Sequence, residues 1–283
     1  MIVDNHLQVP SFQYDYENDS NYIGNREEEL LDLFDISECC RTNGEKLQCS
    51  LEDFYQAEVE PEVYLCDWLF ANTGSGSHDA RELLLRMLDM LEEYEDAGDQ
   101  KIRISLGEAE GCAGTKKEYD MKRRSILAGL RDAGEFCDFM KSCYHESVFS
   151  DNVKTAMKKI PDLEQHTEEI AFNLSLLNDY AIEIYKRHQY NAAGAMKELK
   201  SRAMECTGDP AHKEYLKFPF TYDLEQWNLE QQQEMIVEIE CSPHMKLIRP
   251  DSDLRIYFYW CHDRVGRGEK VLIGRIGSHP YEK

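Results

Sequence analysis

The run Leu254-Arg-Ile-Tyr-Phe-Tyr-Trp260 constrains the fold more than any other stretch of this chain. It alternates without a break: Leu254, Ile256, Phe258 and Trp260 fall on one side, and Arg255, Tyr257 and Tyr259 on the other. A period of two over aromatic and β-branched residues specifies a half-buried strand. Met245-Lys-Leu-Ile248 before it and Lys270-Val-Leu-Ile273 after it read as two further strands, the second leading into Gly274-Arg-Ile-Gly-Ser-His279. The expectation is a small antiparallel sheet with an apolar side and, on its reverse, His244, Lys246, Arg255, Tyr257, Tyr259, Arg275 and His279.

Charge divides the chain. The sequence carries 32 Lys/Arg against 55 Asp/Glu, a net charge of −23. Residues 242–283 hold 8 basic and 5 acidic residues, or +3, which leaves 24 against 50, or −26, for residues 1–241. An acidic body repels phosphate backbones, so any nucleic-acid contact falls to the C-terminal part. No stretch approaches the roughly twenty apolar residues of a membrane span. The first residues lack the basic and apolar segments of a secretory signal. Ten cysteines without a CxxC pair read as reduced core thiols, and the expected location is the cytoplasm.

Helical signals fill the middle. Residues 26–34 and about 79–95 read as helices, the first capped by Asn25. Residues 101–106 alternate as a strand. A helix over about 116–144 carries the seam Ile126, Leu130, Ala133, Cys137, Met140, Tyr144. Another over 163–188 carries Ile170, Leu174, Leu177, Ala181, Ile184. Shorter helices are expected over 149–160, 191–204 and 224–233, and extended chain over 215–222 and 234–240. Gly208-Asp-Pro210 is the clearest interior break. The fold class is therefore α+β: an acidic, mainly helical N-terminal and middle part with a C-terminal antiparallel module. The divisions fall at 1–145, 146–212 and 213–283.

Three places carry chemical interest. Asn72-Thr-Gly-Ser-Gly-Ser-His78 is glycine-rich ahead of a helix, but it lacks the Lys-Ser/Thr of a phosphate loop. Its plainer reading is a connector with Ser77 or Asp79 as cap. Cys241, His244, Cys261 and His262 are zinc-ligand types, yet alternation sends Cys261 and His262 to opposite sides, so no metal site is assigned. No motif calls for a cofactor. The third place is the polar side of the C-terminal sheet. Cleavage of RNA without metal needs a base for the 2′-OH proton, a cation for the phosphate and an acid for the leaving oxygen. His, Lys, Arg and Tyr supply these roles, and aromatics among cations also stack bases. The plainer reading is a solvated surface with cross-strand Arg–Tyr pairing, or a dock for the acidic body.

Helices followed by a compact sheet reading "KL…RIYF…KVLIGRI" resemble the RelE-like toxin fold over residues 213–283, most closely over 244–279. The resemblance implies a toxin or defence-type endoribonuclease, acting on RNA on or off the ribosome. Arg255 would stand at the core-strand arginine of that family, and Lys246 and His279 at phosphate contact and proton transfer. With Tyr257 these form the candidate catalytic set; His244, Tyr259 and Arg275 form the candidate RNA-binding set. The chain departs from the family in its length, its acidity and its ending Gly277-Ser-His-Pro-Tyr281. The alternative is a non-enzymatic acidic subunit that binds a basic or nucleic-acid-handling protein partner.

Overall fold

Two sheets of different construction organise the chain. They lie in separate compact units, residues 1–123 and 124–283. The computed structural model describes residues 3–71, 73–74, 76–95, 102–107, 110–203, 205–208, 213–223, 235–248 and 253–280. The protein is α+β.

The first unit runs β1 (Val3–Leu7), α1 (Glu27–Thr42), β2 (Leu47–Cys49), α2 (Leu51–Gln56), β3 (Glu58–Glu60), β4 (Val63–Tyr64), α3 (Leu65–Phe70), α4 (His78–Leu88), β5 (Leu91–Glu93) and β6 (Ile102–Leu106). The unit boundary falls within α5 (Lys116–Ala128). Four of these strands form an all-parallel sheet in the order β5-β2-β1-β6. The helix expected to run to residue 95 stops at Leu88, and Leu91-Glu-Glu93 is strand β5, paired with Leu47–Cys49. Glu92 and Glu93 are thus strand residues and not the last turn of a helix. Ser77 caps α4 by accepting from the Ala80 N–H at 3.0 Å. Asn25 does not cap α1; Arg26 stands at the cap position, where its side chain makes no capping bond and reaches Glu29 and the Ser11 carbonyl at 2.5 Å each instead.

Central strand β1 is polar, yet all five of its residues are buried. Asn5 explains one of them. Its amide donates to Glu45 Oε2 at 3.1 Å, and the same oxygen accepts from Arg123 at 2.6 Å and Tyr119 at 3.2 Å. Arg123 and Tyr119 are fully buried, so the ion pair sits in the core of this unit.

The second unit adds α6 (Ala133–Cys143), β7 (Ser147–Phe149), α7 (Asn152–Met157), α8 (Thr167–Arg187), α9 (Ala192–Arg202), β8 (Cys206–Thr207), β9 (Lys217–Thr221), β10 (Ile236–Glu240), β11 (His244–Lys246), β12 (Arg255–Tyr259) and β13 (Val271–Gly277). The seam expected to run through one helix over 116–144 is split between α5 and α6. Gly129 lies in the break, and Asp132 starts α6 by accepting from the Glu135 N–H at 2.8 Å. The helix expected over 149–160 is there as the shorter α7, Asn152–Met157, while Phe149 ends strand β7. The α8 seam, Ile170 to Ile184, is buried throughout. The helix expected at 224–233 lies outside the described residues.

The main sheet of this unit has the order β7-β13-β12-β11-β8. Strand β7 joins β13 in parallel; the other pairs are antiparallel. Strands β9 and β10 form a separate antiparallel ribbon. The ribbon's Phe218, Phe220 and Ile239 share one apolar cluster with Tyr257, Val265 and Leu272 of the sheet region. Gly274 makes this approach possible: a Cβ there would stand 2.3 Å from a Phe218 ring carbon.

Candidate functional site

Pairing across the C-terminal strands sets the expected residues in rows. His244 stands opposite Tyr257, and Tyr257 opposite Arg275. Lys246 stands opposite Arg255, and Arg255 opposite Gly277. Paired residues share a side of the sheet. His279, two residues beyond β13, accepts or donates at Nδ1 in a short hydrogen bond with the Tyr257 hydroxyl. Ring centroids are 5.2 Å apart for His244 and Tyr257, and 6.4 Å apart for His244 and His279. Six of the seven expected side chains thus meet at one end of the sheet.

The reverse of the sheet is not open along its length. Tyr257 is fully buried and His244 is 4% exposed. Tyr259, the seventh residue, packs half-buried against the ribbon cluster, and burial raises its phenol above the ordinary range. Alternation of Arg, Tyr and Tyr is there as expected, but the two tyrosines meet a second apolar layer rather than water. Lys246 is also engaged: it forms an ion pair with Glu205, whose carboxyl is held below its usual range by that lysine first and by Arg255 further off.

Several features suit proton transfer. His244 Nδ1 lies 3.2 Å from the Ser242 carbonyl oxygen, which can only accept. Its proton is therefore on Nδ1, and Nε2 is the basic nitrogen. Burial, with contributions from Arg255 and His279, lowers the pKa of His244. Arg275 donates through Nε to the Ser278 carbonyl at 2.9 Å, and burial pulls its guanidinium below the ordinary value. Arg255 donates to the Leu254 carbonyl at 2.8 Å and is half-buried. Two imidazoles, a phenol and two guanidiniums share this end of the module.

The other sequence candidates resolve differently. Gly76 serves close packing: a Cβ there would sit 2.3 Å from the Gly24 Cα. Ser77 caps the helix that follows, so the glycine loop has a structural account. Cys241 is buried with its thiol pKa raised by burial. Among the described residues no group of three or more His, Cys, Asp or Glu side chains is arranged to hold a metal ion. Nor is any helix among them long and apolar enough to cross a membrane.

Sequence reasoning missed a cavity in the first unit. Counting its four strands in chain order, the parallel sheet runs 3-2-1-4, so the strand order reverses between β1 and β6. Open parallel sheets form a crevice outside the carboxyl ends of their strands at such a point. A cavity of about 400 Å³ lies by Gly107, directly after β6, with Gly111, Thr115, Glu29, Asp32 and Glu118 in its wall. Glu118 accepts from the Gly114 and Thr115 N–H groups at 3.0 and 3.1 Å, which hold its carboxyl below the usual range. The start of α5 is thus already met by a carboxylate, and the wall is acidic. The spacing Thr115-x-x-Glu118 was the available signal; the strand order that makes it a crevice was not visible in sequence.

No family model matches the chain, and neither a curated protein nor a solved structure is significantly similar to it.

Proposed function

We propose that the C-terminal sheet binds RNA through its phosphate backbone and cleaves it without a metal, as a toxin or defence-type endoribonuclease would. The observation that carries the reading is the pairing of two imidazoles at 6.4 Å beside Arg255 and Arg275. His244 Nε2 takes the 2′-OH proton. The 2′ oxygen attacks phosphorus, and the bond to the 5′ oxygen breaks. A protonated His279 donates to that leaving oxygen, so the products are a 2′,3′-cyclic phosphate and a 5′-OH. Arg255 and Arg275 hold the non-bridging oxygens, and Tyr257 positions His279 through Nδ1. Lys246 has a lesser share, because Glu205 already neutralises it.

The test is cleavage of single-stranded RNA in chelator, with and without ribosomes. His279→Ala should lower the rate by about 10²–10⁴, the usual share of a general acid or base. Arg255→Ala should weaken binding and rate together. Unchanged cleavage by His279→Ala removes the mechanism. Absence of cleavage by the intact chain under both conditions removes the activity.

A second reading keeps the chain as a subunit that binds a basic protein partner. What supports it is the first unit's composition: 11 Lys/Arg against 29 Asp/Glu in residues 1–123, a net −18, against 21 and 26, or −5, in residues 124–283. Association of that kind weakens steeply as salt shortens the screening length. A complex that persists unchanged from 0.1 to about 1 M salt would exclude it.

A further inference from the structure

The first unit displays aromatic side chains that its own core does not use. Along α2, β3, β4 and α3 the interior is made by Phe54, Val59, Leu65, Trp68 and Leu69, all buried. Tyr64 and Phe70 belong to the same stretch yet are 48% and 65% exposed, and Tyr16 is 61% exposed. The stretch holds these rings together. Glu58 stands opposite Tyr64 in the β3–β4 pair, so the two side chains share a side. The Tyr16 hydroxyl donates to the Glu58 carboxylate in a short hydrogen bond. Tyr64 directly precedes α3 and Phe70 ends it, about 9 Å further on at the rise of a helix. There the Phe70 ring meets Tyr55 of α2, with centroids 6.2 Å apart. Exposed rings gathered in this way mark an interaction surface.

The charge of this surface has one sign. Residues 47–80 contain seven Asp/Glu and no Lys/Arg. Glu52, Asp53, Glu62 and Asp67 are exposed and Glu58 is half-buried. None of these five is in an ion pair among the described residues. Acids elsewhere in the unit are partly matched, as in Arg26–Glu29, Arg41–Glu38 and Lys46–Glu92. Unmatched carboxylates around the rings repel phosphate and attract a cation. A guanidinium satisfies both features at once: its face stacks on a ring while its N–H groups fork onto a carboxylate. The ammonium of lysine is more strongly hydrated and has no plane to stack. We infer that the α2–β3–β4–α3 surface docks an arginine-rich segment of a protein partner, with Tyr64 and Phe70 stacking on guanidiniums and Glu62 and Asp67 pairing with them. This rests on the reading that the first unit binds a basic protein, and it is independent of RNA cleavage by the C-terminal sheet. It adds the surface that is used and the preference for arginine over lysine.

The experiment measures binding of fluorescent nona-arginine and nona-lysine by the intact chain in about 0.1 M salt, where charges beyond about 10 Å are screened. The parent chain should bind the arginine peptide more tightly. A cation stacked on an exposed ring gains about 2- to 5-fold in affinity, so Tyr64→Ser/Phe70→Ser should weaken nona-arginine by about 4- to 25-fold. The loss should be smaller for nona-lysine, so the preference for arginine shrinks. Glu62→Gln/Asp67→Asn should weaken both peptides. The control is Asp35→Asn/Asp89→Asn, which removes the same charge from exposed positions on α1 and at the C-terminal end of α4, and should weaken them less. All six positions are exposed, and circular dichroism of each variant checks that the fold is kept. Equal losses in the two charge variants, or an unchanged arginine affinity in Tyr64→Ser/Phe70→Ser, overturn the inference and leave the basic-partner reading standing. Self-association of the parent chain that disappears in Tyr64→Ser/Phe70→Ser assigns the surface to a second copy and also overturns it. A parent chain that binds neither peptide removes the inference and the reading together.

Discussion

Replacing Gly274 by alanine tests the layer that closes over the C-terminal sheet. The backbone at Gly274 is in a region that any residue can adopt, so the effect is one of space alone. The added methyl would begin 2.3 Å from Phe218 Cδ2 and 2.8 Å from Cys241 Sγ. Carbon atoms at rest sit about 3.5–4.0 Å apart, so the Phe218 ring must retreat by more than about 1 Å. It is 3% exposed and surrounded by Phe220, Ile239 and Tyr257. Overpacking of such a site costs about 1–3 kcal/mol, and two simultaneous clashes place Gly274→Ala in the upper part of that range. For a unit of this size each kcal/mol lowers Tm by about 2–4 °C, so a drop of about 4–12 °C is expected. Thermal unfolding followed by near-ultraviolet circular dichroism reads it. Phe218→Ala by itself should cost about 3–5 kcal/mol by leaving a void. Placed together, the two substitutions should cost less than their sum by about 0.5–3 kcal/mol, because the methyl grows into the vacated space. Strict additivity, or an unchanged Tm in Gly274→Ala, would mean that the ribbon does not sit on the sheet at this point.

Three other outcomes follow from the same contacts. Removing Arg123 as methionine leaves the Glu45 carboxylate buried without its ion and should cost about 3–5 kcal/mol, whereas Arg123→Met with Glu45→Met should cost less than Arg123→Met alone; urea midpoints compare the two. Burial keeps His6 and His244 below the ordinary 6.5, so the unfolded chain takes up protons first as pH falls through that value. Stability is then full above about pH 6.5 and declines on acidification: the urea midpoint should drop between pH 7.5 and 5.5, and drop less in His244→Gln, while a rise would contradict the assignment. Lys246→Ala should change stability by less than about 1 kcal/mol, since the pair with Glu205 is 33% and 43% exposed and screened by solvent; a larger loss would show that this lysine supports the sheet edge.

Much of the second unit could be read from its residues. Helix α8 announces itself because one buried stripe recurs from Ile170 to Ile184 within its 21 residues, and no other structure puts Ile170, Leu174, Leu177, Ala181 and Ile184 on one side. Strand β12 does so by alternation. Less visible was the split between α5 and α6, where a seam of correct spacing continues across a real break. Periodicity alone cannot register that Asp132 offers its carboxylate to a new helix start. The first unit was the hardest. Strands β2 and β5 have three residues each, too few to show a period, and β5 carries two glutamates. Central strand β1 reads Val-Asp-Asn-His-Leu and is buried all the same; the Asn5 amide N–H donates to Glu45, which Tyr119 and Arg123, far along the chain, hold in a core that only folding assembles.

Local sequence determined which side chains lie together on β12 and which stripe of α8 is apolar, because both follow from the fixed repeat of one element. It also brought His244, Arg255, Tyr257 and Arg275 to the same side of three neighbouring strands. What covers that side was decided by the tertiary structure. A tyrosine in an alternating strand is compatible with water or with a second apolar layer, and the β9–β10 ribbon, seated over Gly274, supplies the layer at Tyr257 and Tyr259 while His279 and Arg255 remain at its margin.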